Sequence, residues 1–383
     1  MFKKKAEVVV SFSWLFMAIV GVFFIALSYN IITKYQDIEE EKFRLELQQT
    51  LRTILNNVGR TAGVEENLVE PLGDLFRDSD VELSCFSGIP IMSINGYPFA
   101  ENSFIRNYPT GLTTISQGKI ANTYLAVESF RMPFKTSNIL TFVSDYNLIV
   151  FDKDSDITED FLKKFQQESA YRNFKVNYDY SFSDLSRFRE DVRRSGLTSV
   201  MFVSDDGISI NGLDLNDLNF QATHVQIDYS GTLNGAYSTI KYVGSNMNDF
   251  EQKDYKSVDY DNSLTLETLA IFSNPSAFDC AYNQVIENTK VNYDFYLKKI
   301  DEIIEIAQDT RICSSSQILE DSSGEFSGAL QVSRYQRVKD DLLGIRNLIE
   351  NDGFNSSSDL IDYLGKLSES FKALEQVNCY VIY

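Results

Sequence analysis

The chain has 383 residues, room for about two or three domains at roughly 100–200 residues each. Apolar residues at 43% and charged residues at 23% are globular proportions, which excludes a wholly disordered, collagen-like or coiled-coil chain. Asp+Glu at 55 against Lys+Arg at 35 gives a net charge of −20 and no basic footprint for a nucleic acid, and the single histidine, His224, argues against histidine triads, relays and multi-histidine zinc sites.

Val8 to Ile32 runs for 25 residues without a charge. At 1.5 Å per residue such a helix crosses the ~30 Å hydrocarbon core with some tilt to spare. Trp14 and Tyr29 lie towards its ends, where amphipathic rings favour headgroups. Lys3, Lys4 and Lys5 precede it, and Asp37, Glu39, Glu40 and Glu41 follow. The positive-inside rule then keeps the first residues cytoplasmic and exports everything after about Thr33. A cleaved signal peptide, with an apolar stretch of about 7–15 residues and a small-x-small site, fits neither feature. Residues 1–33 are therefore expected to be a single-pass transmembrane anchor, with the lipid bilayer its partner through 8–32 and the C-terminal body extracellular. Beyond residue 33 the chain carries 32 Lys+Arg and 54 Asp+Glu, a net of −22 that keeps it soluble and repels anions.

Residues 34–60 continue as a stalk helix. Phe43, Leu47, Leu51, Ile54, Leu55 and Val58 share one face, and Gly59 and Gly63 stop it. That face suits a self-association seam, or equally a helix lying along its own ectodomain.

Residues 61–262 read as a mixed α/β ectodomain. From Asp80 to Ser144, short apolar runs broken by Gly96, Pro98, Pro109, Gly111 and Pro133 are strands and turns, with Asn95-Gly96 a tight hairpin turn. Strand Leu148–Phe151, a helix with Phe161, strand Phe174–Tyr180, a helix with Leu185 and Phe188, and strand Ser199–Val203 follow. That alternation requires a mainly parallel sheet with crossover helices. Gln221–Ser230 and Ala236–Val243 add an antiparallel hairpin at the sheet edge, and the polar stretch Asn246 to Asn262 reads as a linker. The fold class is thus α/β (α+β).

Residues 263–383 read as a three-helix bundle. Asn274 caps and Pro275 opens a long helix whose inward positions, Phe278, Tyr282, Val285, Thr289, Asn292, Tyr296, Ile300, Ile303 and Ala307, step by 4 and 3. Helices Val332–Glu350 and Ser358–Val377 complete it.

Four cysteines on an exported body favour disulfides over a metal, and no CxxC spacing is present. Cys280 opens the long helix and Cys313 lies just past its end, about 45–50 Å away, far beyond the ~6 Å a disulfide spans. An up-down-up bundle brings Cys379 to Cys313 and leaves Cys280 for Cys85. Asn355-Ser356-Ser357, between the last two helices, is an N-glycosylation acceptor pattern.

Asp152, Asp154 and Asp156 follow the first sheet strand, and Asp205 and Asp206 follow the third. Ligands of open α/β sheets sit beyond the carboxyl ends of strands, so these acids would meet at one rim and supply oxygen ligands for Mg²⁺ or Ca²⁺. The competing reading is that they are solvated loop carboxylates that populate turns and cap helices. The Asp152-x-Asp154 pattern resembles that of haloacid-dehalogenase-type phosphohydrolases. The resemblance implies Asp152 as nucleophile, Asp154 as acid/base and Asp205 and Asp206 on metal, although Ser155-Asp156 replaces the usual Gly-Thr. His224 sits in an alternating strand with no base-and-nucleophile partner in the pattern and reads as structural.

The opening Lys4-Lys5-Ala6-Glu7-Val8, Ser11-Phe12-Ser13-Trp14-Leu15-Phe16, resembles single-pass proteins of reduced-genome (DPANN-type) archaea, as do Ser84-Cys85, Met132-Pro133-Phe134 and Phe278-Asp279-Cys280 further on. That family carries no assigned activity, so the resemblance implies placement and architecture. A weaker likeness is to archaeal type IV pilins, from whose leader site Lys5-Ala6-Glu7 departs. The expectation is a non-enzymatic, membrane-anchored extracytoplasmic protein for surface interaction or envelope structure, working without a cofactor and engaging a protein partner or second copy through stalk or bundle. The alternatives are a membrane-tethered phosphohydrolase using the Asp152/Asp205 rim with Mg²⁺ or Ca²⁺, and a pilin-like subunit.

Overall fold

The structure is a computed structural model. It describes residues 68–73, 81–86, 89–94, 97–98, 110–112, 123–144, 147–155, 180–185, 199–205, 207–210, 221–232, 235–243, 254–259, 264–308 and 327–375, with 175–177 and single positions at 34, 42, 45, 46, 49, 50, 53, 161, 163 and 188. Two compact units divide it, Met1–Asn56 and Asn57–Tyr383. In the first, the described positions between Lys34 and Thr53 are helical, with a Lys42–Glu46 pair one turn apart. Among the described residues no helix is long and apolar enough to cross a membrane; segment 8–32 lies outside them.

The second unit is mixed α/β. Its thirteen described strands form three sheets. A three-stranded sheet runs β2 (Val81–Phe86), β3 (Ile89–Ile94), β4 (Tyr97–Pro98), with Ile94 paired to Tyr97; the expected Asn95-Gly96 turn lies outside the described residues. A four-stranded sheet runs β1 (Leu68–Gly73), β6 (Thr123–Arg131), β7 (Lys135–Ser144), β5 (Thr110–Leu112). The six-stranded sheet runs β13 (Tyr255–Asp259), β12 (Gly235–Val243), β11 (Gln221–Thr232), β10 (Ser199–Ser204), β8 (Asn147–Phe151), β9 (Lys175–Asn177).

In this last sheet β9, β8, β10 and β11 are mutually parallel, while β11, β12 and β13 are antiparallel. The parallel part follows from apolarity on both faces. Ile149, Phe151, Met201 and Val203 enter the main core, while Val150, Val200 and Phe202 pack with Phe182, Leu185 and Phe188 on the opposite side. A strand covered on both faces must be a continuous apolar run, which is what Leu148–Phe151 and Val200–Val203 are.

One expectation is corrected here. The stretch read as a linker holds β13, which pairs with β12 through Ile240↔Tyr255 to Ala236↔Asp259, so the β11–β12 hairpin is not the edge. Tyr255, Ser257 and Val258 are all buried. A five-residue strand with a serine and a lysine among polar neighbours carries too little hydrophobic alternation to stand out.

Four helices follow: α1 (Thr265–Ile271), α2 (Pro275–Gln308), α3 (Ser327–Asp352) and α4 (Ser357–Glu375). Every residue of α1 is buried, and it touches β11 and β13 of one sheet and β5, β6 and β7 of another. Leu264 enters it in a left-handed conformation, φ 52°, with its carbonyl taking bonds from the Thr268 N–H and hydroxyl. Glu267, fully buried, accepts a bond from the Ser238 hydroxyl of β12. The N-terminus of α2 forms as the sequence predicts, with Asn274 Oδ1 accepting the Ala277 N–H at 2.8 Å. Phe278, Tyr282, Val285, Thr289 and Ile300 face inward.

The helices run antiparallel in succession. Asp294–Arg346 and Asp301–Lys339 pair α2 with α3, and Ser370 Oγ donates to Asp341 to join α4. The helices share one core with the sheets, continuous across position 262/263. Polar contacts fix α2 on the β6–β7 hairpin: Tyr293 OH donates to the Met132 carbonyl at 2.6 Å and Asn292 to that of Thr136 at 2.8 Å. At its start, Cys280 is disulfide-bonded to Cys85 of β2, Cα atoms 5.6 Å apart. This is the pair that bundle topology assigned; Cys313 and Cys379 lie outside the described residues.

Candidate functional site

The acidic rim forms where two parallel strands end side by side. Phe151 of β8 pairs with Val203 of β10, and the Asp152 N–H donates to the Val203 carbonyl at 3.0 Å, so Asp152 and Ser204 are neighbours one residue further on. Asp156 and Asp206 lie outside the described residues. The three other acids behave differently from one another.

Asp152 is 2% exposed, and its Oδ1 accepts backbone N–H groups from Phe182 at 3.2 Å and from Asp154 at 3.4 Å. Its own carbonyl accepts the Ser155 N–H, and the Lys153 N–H reaches the Tyr180 carbonyl. Asp152 therefore closes an Asx-type turn and anchors the segment that carries Phe182 into the lower core. Asp154 is exposed and takes a bond from the Ser181 hydroxyl at 2.6 Å. The Asp205 carbonyl accepts from the Ile208 N–H and the Ser204 hydroxyl, beginning a turn through Gly207, φ +80°. Among the described residues no group of three or more His, Cys, Asp or Glu side chains is placed to hold a metal.

His224 belongs to the same rim. Its Nε2 lies 2.8 Å from Ser204 Oγ, and its ring meets that of Phe182 edge-on at 5.6 Å. Burial lowers its pKa to about 4, so the imidazole is neutral at physiological pH. Asp152, Ser204 and His224 occur in that order across β8, β10 and β11. A hydrolytic triad needs the imidazole between acid and hydroxyl, whereas here the serine is in the middle and all three side chains are buried. The row fastens the strand ends: Asp152 holds the segment after β9, and Ser204–His224, with Gln226 donating to the Ile208 carbonyl at 2.6 Å, holds the 205–210 turn.

A second concavity, one the sequence does not announce, opens where β13 begins and the α3–α4 turn passes α2. It is a cleft of about 750 Å³. Tyr255, Tyr282 and Phe354 form its floor, with successive ring centroids 5.2 and 5.8 Å apart. Tyr282 OH donates to the Lys256 carbonyl and Tyr255 OH to Asp279, and burial raises both phenol pKa values. Both are neutral, so carboxylates set the charge of the cleft: Asp254, Glu287, Glu350 and Asp352 line it with one cation, Lys290. Glu287, Glu350 and Asp352 occupy ordinary solvent positions of helices, so no periodicity could single them out.

Compared with protein-family models, curated proteins and solved structures, the chain matches none.

Proposed function

We propose that the chain is a membrane-anchored extracytoplasmic protein whose body serves surface interaction or envelope structure without catalysis. In this reading residues 8–32 cross the bilayer, 34–60 form the stalk, and the α/β body with its three-helix C-terminal assembly stands outside. The observation that carries it is the Cys85–Cys280 disulfide, a bond that persists in oxidising compartments and is rare where thiols are kept reduced. The rim adds support, since Asp152, the nucleophile of the phosphohydrolase alternative, is engaged with the backbone of Phe182.

Protease added to intact cells tests the placement. The body is digested from outside in this reading. Protection on intact cells, with digestion only after lysis, overturns it. Mass analysis of the N-terminus separates the pilin-like alternative, which requires a processed leader.

A further inference from the structure

We propose that the exposed face of α2 pairs with the same face of a second copy of this chain, the two helices antiparallel about a two-fold axis. Among the described residues five large apolar side chains are exposed, and three of them, Val291, Phe295 and Ile306, lie on α2. Phe295 is 53% and Ile306 48% exposed. Between them stand Lys299 and Glu302, both exposed, with Lys299 Nζ 3.0 Å from Glu302 Oε2 and 5.8 Å from the centre of the Phe295 ring. The order Phe295, Lys299, Glu302, Ile306 steps by 4, 3 and 4, the seam spacing of a coiled coil, and makes one stripe about 16 Å long. It lies away from the buried Tyr293, Ile300 and Ile304, and from Asp294 and Asp301, which reach α3.

The stripe is complementary to itself in one direction only. A two-fold contact sets residue i against j and j against i. With the helices antiparallel and the axis between Lys299 and Glu302, Phe295 meets the second copy's Ile306, and Lys299 meets its Glu302. Apolar then covers apolar, and each ammonium faces a carboxylate. The flank agrees, since Lys298 falls beside the second copy's Glu305, both exposed. Parallel helices would instead oppose Lys299 to Lys299 and Glu302 to Glu302. An apolar ligand or a lipid surface would desolvate the Lys299–Glu302 pair without adding a partner, whereas a second copy closes it into a ring of four alternating charges. Both copies are acidic overall, but at about 150 mM salt their repulsion is screened beyond about 8 Å, and the stripe acts inside that range. The pairing holds on either side of a membrane.

The test is sedimentation equilibrium of the full chain in density-matched zwitterionic micelles at about 150 mM salt. The wild type is expected to dimerise reversibly between about 1 and 100 μM, as suits a small interface. Lys299→Glu and Glu302→Lys should each weaken the dimer at least about tenfold, because each sets like charges against each other twice. The double variant carrying both changes, and an equimolar mixture of the two single variants, restore every opposite pair and should return to within about threefold of wild type. Both side chains are exposed, and the double variant and the mixture show whether a weakened single variant has kept its fold. A wild type that stays monomeric up to about 100 μM overturns the proposal. So do single variants that dimerise unchanged, which moves the contact elsewhere on the chain. Opposite effects of the two single variants reduce the association to net charge, and losses that neither the double variant nor the mixture restores remove the register; either result overturns it.

Discussion

Acidification should destabilise the body through one residue. His224 is buried against Ser204 and Phe182, and burial holds its folded pKa at about 4 against an ordinary 6.5. Between those values the unfolded chain binds a proton that the folded chain does not, so stability falls as pH falls. The contribution is complete above about pH 6.5, declines by about 1.4 kcal/mol per pH unit through the window, and levels off below about pH 4. Over the whole window the loss is about 3 kcal/mol, and down to pH 5 about 2 kcal/mol. Stopping at pH 5 avoids most carboxylate titration, and no second histidine contributes. Urea unfolding at about pH 7.5 and about pH 5.0 measures the loss. His224→Gln keeps a nitrogen for Ser204 but does not titrate, so its lower baseline should change little over the same interval. An equal loss in the variant, or an imidazole that titrates near 6.5 in the folded protein by NMR, refutes the reasoning.

Three further outcomes follow from particular contacts. Cys280→Ser opens a loop of sequence separation 195, for which chain entropy gives about 5 kcal/mol, the upper end of disulfide effects; an unchanged urea midpoint in oxidised wild type and variant would contradict it. Gly344→Ala drives a methyl of α3 into the Tyr363 ring of α4, against Cε1 and 2.9 Å from Cδ1, so a loss of about 1–3 kcal/mol should outweigh the helix-propensity gain of about 1 kcal/mol, with a net gain in thermal melts as the contrary result. Asp152→Ala leaves the buried Phe182 N–H without its acceptor and should cost about 1–3 kcal/mol, while Asp154→Ala at the exposed Ser181 contact stays within about 0.5 kcal/mol; the reverse order rules out the turn-anchor role.

The parts of the fold that the sequence made legible are those where one physical demand dominates. Val200–Val203 and Leu148–Phe151 had to be covered on both faces, so parallel pairing between helices followed. The step of 4 and 3 from Phe278 to Ile300 marked the buried side of α2, and Asn274-Pro275 its start. The bundle's length excluded Cys313 as a partner for Cys280. What stayed hidden depends on tertiary neighbours. β1 and β6 emerged only with the sheet they share, β13 is strand because β12 offers it an edge, and α1 is helix although a glutamate lies at its centre. The Asp-x-Asp pattern was visible, but its use was not, since Phe182 arrives from 30 residues downstream to take the carboxylate. The strand alternation marks His224 as structural, but only β10 beside β11 supplies its serine.

The bond between Cys85 and Cys280 also fixes what a peptide-bond cut can achieve. A nick anywhere from 86 to 279 severs the backbone but leaves the upstream fragment joined to the helices through sulfur. Whatever retains the N-terminus keeps the whole body until that bridge is reduced. A single cut that frees the residues joined by this bridge from everything upstream must therefore fall before Cys85.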